Sequence, residues 1–203
     1  MRKRVINLLA ATAMMVQGAG IATSAKAAYL LKYEEVGADV VAEGSGSLDV
    51  TDLNFTNSGG TGSCFGVWAS QGLACAGPLS IPLDTYQGFV GPTSFGSGGQ
   101  HLATSGSGDF TGIVPLAGNL HPPGGYISGD WLSGEATFAG ADFEDLGLTP
   151  GTYVWSWGAG PHADTFTVQI GVPEPSTWAI LVVGFGGVGL VGYRRTRKAK
   201  AIG

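Results

Sequence analysis

The sequence predicts an all-β domain, an antiparallel β-sandwich or jelly-roll-like fold, flanked by an N-terminal signal helix and a single C-terminal transmembrane helix. Three observations predict it. Apolar and polar residues alternate with period two through the middle of the chain, glycine and proline breakers fall about every ten residues, and the two unbroken apolar runs sit at the ends beside basic clusters.

Residues 1–27 open with Arg2-Lys3-Arg4, continue through the apolar run from Val5 to Val16 and taper to Ala25-Lys26-Ala27. This is the layout of a secretory leader, and the small side chains of Ala25 and Ala27 at positions −3 and −1 predict cleavage after Ala27. An uncleaved N-terminal anchor is the alternative, and it exports the middle equally.

Residues 28–171 form the predicted domain. Its 28 glycines in 144 residues would suit disorder, but it also holds 17 of the chain's 20 aromatic residues, which disordered segments lack. Tyr29, Leu31 and Tyr33 alternate with Leu30, Lys32 and Glu34. Leu48, Val50 and Asp52 alternate in the same way with Asp49, Thr51 and Leu53. Tyr153, Trp155 and Trp157 share one face, and Phe166, Val168 and Ile170 share another, with a hairpin loop expected over 158–164. Breakers at Gly59-Gly60, Gly91-Pro92, Gly98-Gly99, Pro122 to Gly125 and Pro150-Gly151 leave no space for a long amphipathic helix. Gly44-Ser45-Gly46-Ser47-Leu48 and Gly106-Ser107-Gly108-Asp109-Phe110 read as similar strand openings, which leaves an internal duplication open.

The middle segment holds fourteen carboxylates against one basic residue, Lys32, a formal charge of −13. Binding a nucleic-acid backbone requires cations that displace phosphate counterions, so nucleic acid is excluded as a partner.

Residues 172–203 form the tail. From Ser176 to Tyr193 there are 18 residues without a charge, long enough as a helix (about 27 Å) to cross a bilayer core. Arg194, Arg195, Arg197, Lys198 and Lys200 follow as a cytoplasmic stop, so both basic clusters lie on one side of the membrane and the acidic middle on the other. The apolar run lacks glycines four apart, so no helix-driven dimer is expected. A buried C-terminal helix of the globular domain is the competing reading.

Just before the run stands Val172-Pro173-Glu174-Pro175-Ser176-Thr177-Trp178-Ala179. The two prolines hold the segment extended, Ser176 or Thr177 can cap the helix, and Trp178 suits the headgroup level. Pro173, Glu174, Pro175, Trp178 and Ala179, the glycine-rich apolar helix and the terminal arginine cluster together resemble the PEP-CTERM sorting domain of exported proteins of Gram-negative bacteria. The resemblance covers residues 172–200. It implies recognition and removal of the tail by exosortase, a membrane-embedded cysteine peptidase, transient anchoring in the inner membrane, and association with exopolysaccharide and biofilm matrix. The run from Gly125 to Trp155 resembles the closing strands of such proteins, without attached chemistry.

Chemistry in the middle is sparse. Cys64 and Cys75, ten residues apart and exported to an oxidising compartment, are expected to form one disulfide. His101, His121 and His162 lie in Gly/Pro-rich loops at spacings unlike those of zinc ligands, so no metal site is expected from the three together, although His162-Ala163-Asp164 could hold a metal or form a His-carboxylate pair. Ser63, Ser105 and Ser107 lack a nucleophile elbow. Glu144 and Asp145, read as neighbours on a strand, would face opposite ways and could not cooperate as acid and base. Asp39, Asp49, Asp52, Asp109, Asp130, Asp142, Glu144 and Asp164 lie in or near turns, which leaves calcium possible, but no EF-hand loop or calcium nonapeptide is present. No cofactor is expected. The predicted function is therefore that of a non-enzymatic surface or matrix protein, with Trp68 or Trp131 as exposed aromatics for weak polysaccharide binding. A permanently anchored adhesin and a secreted hydrolase are the alternatives.

Overall fold

The computed structural model describes residues 28–61, 66–78 and 81–171. The leader with Ala25 and Ala27, Cys64, and the whole tail with Pro173, Glu174, Pro175, Trp178, Ala179, Arg194, Arg195, Arg197 and Lys198 lie outside the described residues. No helix among the described residues is long and apolar enough to cross a membrane.

The described chain is all-β. Its strands are Ala28–Val36 (β1), Asp39–Ser47 (β2), Asn54–Thr61 (β3), Gly66–Trp68 (β4), Leu73–Ala76 (β5), Pro82–Gln87 (β6), Gln100–Leu102 (β7), Ser105–Gly108 (β8), Thr111–Val114 (β9), Asn119–His121 (β10), Trp131–Phe138 (β11), Gly151–Trp157 (β12) and Asp164–Ile170 (β13). The only helical elements among the described residues are three short 3₁₀ turns. Two sheets result: six strands in the order β12-β13-β1-β2-β11-β8 and seven in the order β3-β6-β10-β9-β5-β4-β7.

One hydrophobic core joins the sheets. Tyr29, Leu31, Tyr33, Trp155, Phe166, Val168 and Ile170 of the first pack into the same cluster as Val67, Ala74, Ile113 and Leu120 of the second. The alternation read in β1, β12 and β13 thus marks buried faces, with Trp155 and Phe166 fully covered and Tyr153 only partly so. Among the described residues all the strand pairs are antiparallel except one: β1 runs parallel to β13, from Ala28 opposite Thr165 to Tyr33 opposite Ile170. At about 3.3 Å per residue this pairing puts the start of β1 and the end of β13 at opposite poles, roughly 20 Å apart.

Two segments depart from the sequence reading. Residues 48–53 are not a strand, because their polar groups bond to distant side chains instead of a ladder. The backbone N–H groups of Leu48, Asp49 and Val50 donate to Tyr126 Oη, Asp164 Oδ2 and Ser128 Oγ. Leu48, Val50 and Leu53 are nonetheless buried. Glu144 and Asp145 lie in a turn and not on a strand, so the opposite-face argument does not apply to them. The glycine-serine runs read as strand openings are instead the end of β2 and most of β8, the two strands flanking β11, since Gly134 pairs with both Gly44 and Gly108. A closer local likeness lies elsewhere. In β4–β5 and β9–β10, two strands join through a 3₁₀ turn closed by a left-handed glycine, Gly72 or Gly118, and β5 pairs with β9 so that the two hairpins lie side by side.

Candidate functional site

The outer face of the six-stranded sheet carries an ordered row of polar side chains. Period two aims Lys32, Glu43, Ser45, Ser107, Ser133 and Glu135 outward, and the strand register lines up Thr152, Gln169, Lys32, Glu43, Glu135 and Ser107 in a row across six strands. Glu43 stands directly opposite Glu135, an arrangement that like charges disfavour. Both line a shallow groove of about 320 Å³ with Ser45, Ser107, Ser133 and the intervening glycines. Lys32 Nζ lies 2.8 Å from Glu34 Oε1 on its own strand.

Trp131 opens β11 on this same face, opposite Ser47, and is 71% exposed. Of the two tryptophans expected to be exposed, it alone is: Trp68 is half-buried against Leu73, Cys75, Leu83 and Phe110. The indole lies beside Ser47, with Ser133 next along the same face and the Glu43–Glu135 pair about 13 Å further along the strands.

The pole where β1 begins holds a connected group of titratable side chains. Asp49 is its hub. Its Oδ2 lies 2.8 Å from His162 Nδ1, and its Oδ1 accepts from Thr51 N and Ser128 Oγ, both at 3.0 Å. Its carbonyl accepts from Trp157 Nε1 at 2.7 Å. Asp164 is buried and accepts from the backbone N–H groups of Asp49 and Thr165, both at 2.6 Å. Asp52 receives Ala159 N at 3.1 Å, and Tyr126 Oη donates to the carbonyl of Asp130 at 2.6 Å.

Burial pushes the Asp49 carboxyl up, but bonds from Thr51, His162 and Ser128 outweigh it and hold the group well below the usual carboxylate range. The bond to Asp49 raises His162. Burial pushes Asp164 up to about 6, opposed by the two backbone donors and assisted by the charge of Asp49.

The signs of these shifts give a pH profile. Unfolded Asp164 has lost its proton by about pH 5 whereas the folded form holds it to about 6, so its stabilising contribution is lost as pH rises through that window. His162 acts in the same sense at higher pH: its contribution is present below about 6.5 and is lost as pH climbs through the raised folded value. Asp49 acts in the opposite sense, contributing above about pH 4 and losing that contribution only in strong acid. In urea titrations between pH 4 and 7, Asp164→Asn is expected to flatten the decline of stability between pH 4 and 6 by about 1–2 kcal/mol. An unchanged slope in that variant would contradict the assignment.

This pole is not arranged for acyl transfer. Ser128 donates to the carboxylate of Asp49 and not to the imidazole, so the hydroxyl–imidazole contact of a Ser-His-Asp triad is not formed here. His101 on β7 and His121 on β10 lie four strand positions apart in one sheet, about 19 Å, and His162 belongs to the hairpin of the other sheet. Burial lowers His121, whose Nδ1 is 3.2 Å from Thr85 Oγ1. Among the described residues no group of three or more His, Cys, Asp or Glu could hold a metal ion. The carboxylates named as calcium candidates fall into separate places: Asp49, Asp52, Asp130 and Asp164 at this pole, Asp39 and Asp142 along one groove with Asp39 capping Gly140, Glu144 in the turn beside Asp142, and Asp109 bonding Ser133.

Cys75 is disulfide-bonded. Cys64, its expected partner, lies outside the described residues.

The sequence reading did not single out the Glu43–Glu135 pairing or Asp84. Asp84 is buried in β6, with Oδ2 accepting Gly125 N at 2.9 Å and Oδ1 without a hydrogen bond. An aspartate between Leu83 and Tyr86 is the one local signal that pointed to it. No protein-family model, characterised protein or solved structure matches this chain.

Proposed function

We propose that this chain is an exported, non-enzymatic surface or matrix protein, sorted through residues 172–200 by an exosortase-type membrane peptidase and associated with exopolysaccharide. In this reading residues 1–27 are the leader, residues 28–171 the mature domain and residues 172–203 the sorting tail. The peptidase reads Pro173, Glu174, Pro175, Trp178 and Ala179 while Arg194, Arg195, Arg197 and Lys198 hold the tail on the cytoplasmic side.

The observation that carries the reading is the tail itself: a rigid Pro-Glu-Pro segment, a bilayer-length apolar run and a basic stop, in that order. The end of the fold supports it: the last strand ends at Ile170, two residues before the motif segment. The parallel pairing of β1 with β13 also supports it, because Trp131 and Ser47 lie at the pole away from the tail exit. A domain tethered by its C-terminus therefore presents the indole and the adjoining polar face outward, where a polysaccharide strand can reach them.

The test is intact mass of the full chain expressed with and without the processing peptidase. Processing is expected to give a product that begins at Ala28 and ends within the tail. Joint replacement of Pro173, Glu174 and Pro175 by alanine should leave the tail attached and the protein in the membrane fraction. A wild-type product that keeps its C-terminus in the presence of the peptidase would favour the permanently anchored adhesin. Turnover of a substrate by the tail-less domain would overturn the non-enzymatic reading.

A further inference from the structure

We infer that Asn54 is an acceptor for N-linked glycosylation, taking an oligosaccharide from a polyprenyl-pyrophosphate donor after export. The segment Asp52-Leu53-Asn54-Phe55-Thr56 places a hydroxyl two residues after an asparagine, with a residue other than proline between them. It also places a carboxylate two residues before. In an extended chain, side chains two apart project to the same side, so a transferase gripping this segment meets Asp52, Asn54 and Thr56 together. The carboxylate suits a cationic register contact, the amide is the nucleophile, and the hydroxyl fixes the amide's position. Of the chain's four asparagines, Asn7, Asn57 and Asn119 all lack a hydroxyl two residues on.

The fold leaves this segment open. Asp52, Asn54 and Thr56 are exposed, Phe55 is 56% exposed with its ring edge-on to Tyr86, and Leu53 is buried and anchors the segment. The side-chain amide of Asn54 makes no hydrogen bond among the described residues. Thr56 Oγ1 donates to the carbonyl of Thr85 at 3.1 Å, which leaves its lone pairs able to accept. Among the described residues β3 is the outermost strand of its sheet, and its register with β6 slips between Phe55 and Asn57, so the ladder is interrupted inside the motif. Gly88, beside the Asn54 amide, has no side chain to crowd it.

In the transfer, the Asn54 amide nitrogen attacks the anomeric carbon of the donor sugar. The new C–N bond forms as the bond from that carbon to the pyrophosphate oxygen breaks. The polyprenyl pyrophosphate leaves with the electron pair, and one amide proton passes to a base of the transferase. Nothing is oxidised or reduced. A glycan at this position also covers an open strand edge, which otherwise invites pairing with another chain.

The inference rests on the export reading, and one experiment separates the two. The full chain is produced in a bacterial host carrying a periplasmic oligosaccharyltransferase and its lipid-linked oligosaccharide, and intact mass reports both ends of the chain and any added glycan. The wild type is expected to gain the mass of one glycan, located at Asn54 by tandem mass spectrometry. Asn54→Gln and Thr56→Ala should abolish the gain, Thr56→Ser should keep most of it, and Asp52→Asn should lower occupancy several-fold while Asp52→Glu retains it. A wild-type product that begins at Ala28 and has unmodified mass overturns the glycosylation site and leaves export standing. A product that keeps its leader in the cytosol overturns export. The same variants behind an independent export signal then decide the site: an unmodified wild type there overturns it, and a glycan lost with Asn54→Gln sustains it.

Discussion

Trp155→Ala is expected to remove about 4 kcal/mol of stability, within the range seen when a fully buried large aromatic is truncated. Trp155 has no exposed surface, and its ring meets Phe166 edge-on at 6.2 Å. Its indole Nε1 donates to the carbonyl of Pro92 at 2.8 Å. The backbones of Val90 and Ser156 exchange two hydrogen bonds of 2.9 Å, so residues 90–92 lie along β12 and close over the indole. Gly91 is required there, because a Cβ would come within 2.4 Å of Trp155 Cδ1. Truncation therefore opens a cavity, leaves the Pro92 carbonyl without its donor and removes the surface against which the 90–92 segment packs. Since domains of this size are stable by only about 5–15 kcal/mol, the variant should unfold at markedly lower urea. Trp155→Phe, which keeps much of the apolar volume and loses the hydrogen bond, should fall between the two. A loss below about 1 kcal/mol for the alanine variant would show that the indole is not a core element.

That residue also shows what a single sequence makes legible. The pattern Tyr153, Trp155, Trp157 against Val154 and Ser156 identifies β12 and its buried face, because large aromatics at period two have no other economical place in a soluble sheet. The same holds for β1 and β13. Residues 48–53 carry an equally regular alternation and are not a strand. There the partners of the backbone are Tyr126, Ser128 and Asp164, which lie 78 to 115 residues away and leave no local trace. Long-range pairing hides the candidate site for the same reason. Glu43 and Glu135 read as isolated surface acids until β2 and β11 are paired, and Asp49 reads as a turn residue until the hairpin carrying His162 folds over it. The parallel β1–β13 pair, which sets the start of β1 and the end of β13 at opposite poles, joins the first described strand to the last and has no local signature. Trp131 was legible only as one of two equivalent aromatics. Its exposure follows from its outward position at the start of β11, whereas Trp68 packs against the second, smaller apolar cluster.

Composition alone left the glycines ambiguous, and Gly134→Ala decides how they are used. Gly134 lies at the centre of β11 between Gly44 and Gly108, with an ordinary strand backbone that alanine can adopt, so the conflict is steric and not conformational. A Cβ at this position would come within 2.1 Å of the Asp109 carbonyl oxygen and 3.4 Å of Gly77 Cα. That carbonyl cannot retreat easily. Asp109 N donates to Ser133 O at 2.7 Å, Ser133 N donates to Asp109 Oδ2 at 3.0 Å, and Gly77 N donates to Glu135 O at 3.1 Å, so the corner where the two sheets meet is tied to β11 on both sides of the glycine. Relief requires breaking part of that set or displacing β11, and either should cost about 3 kcal/mol. For a domain of this length the melting temperature should fall by roughly 10 °C. Gly99→Ala is the matched control: a Cβ there meets nothing within 4 Å and the backbone is not left-handed, so stability should stay within about 0.5 kcal/mol of wild type. Equal stability of the two variants would mean that the sheet corner is loosely packed. A large difference would show that glycine here serves close approach of backbones, which is how a chain this rich in glycine still builds a rigid core.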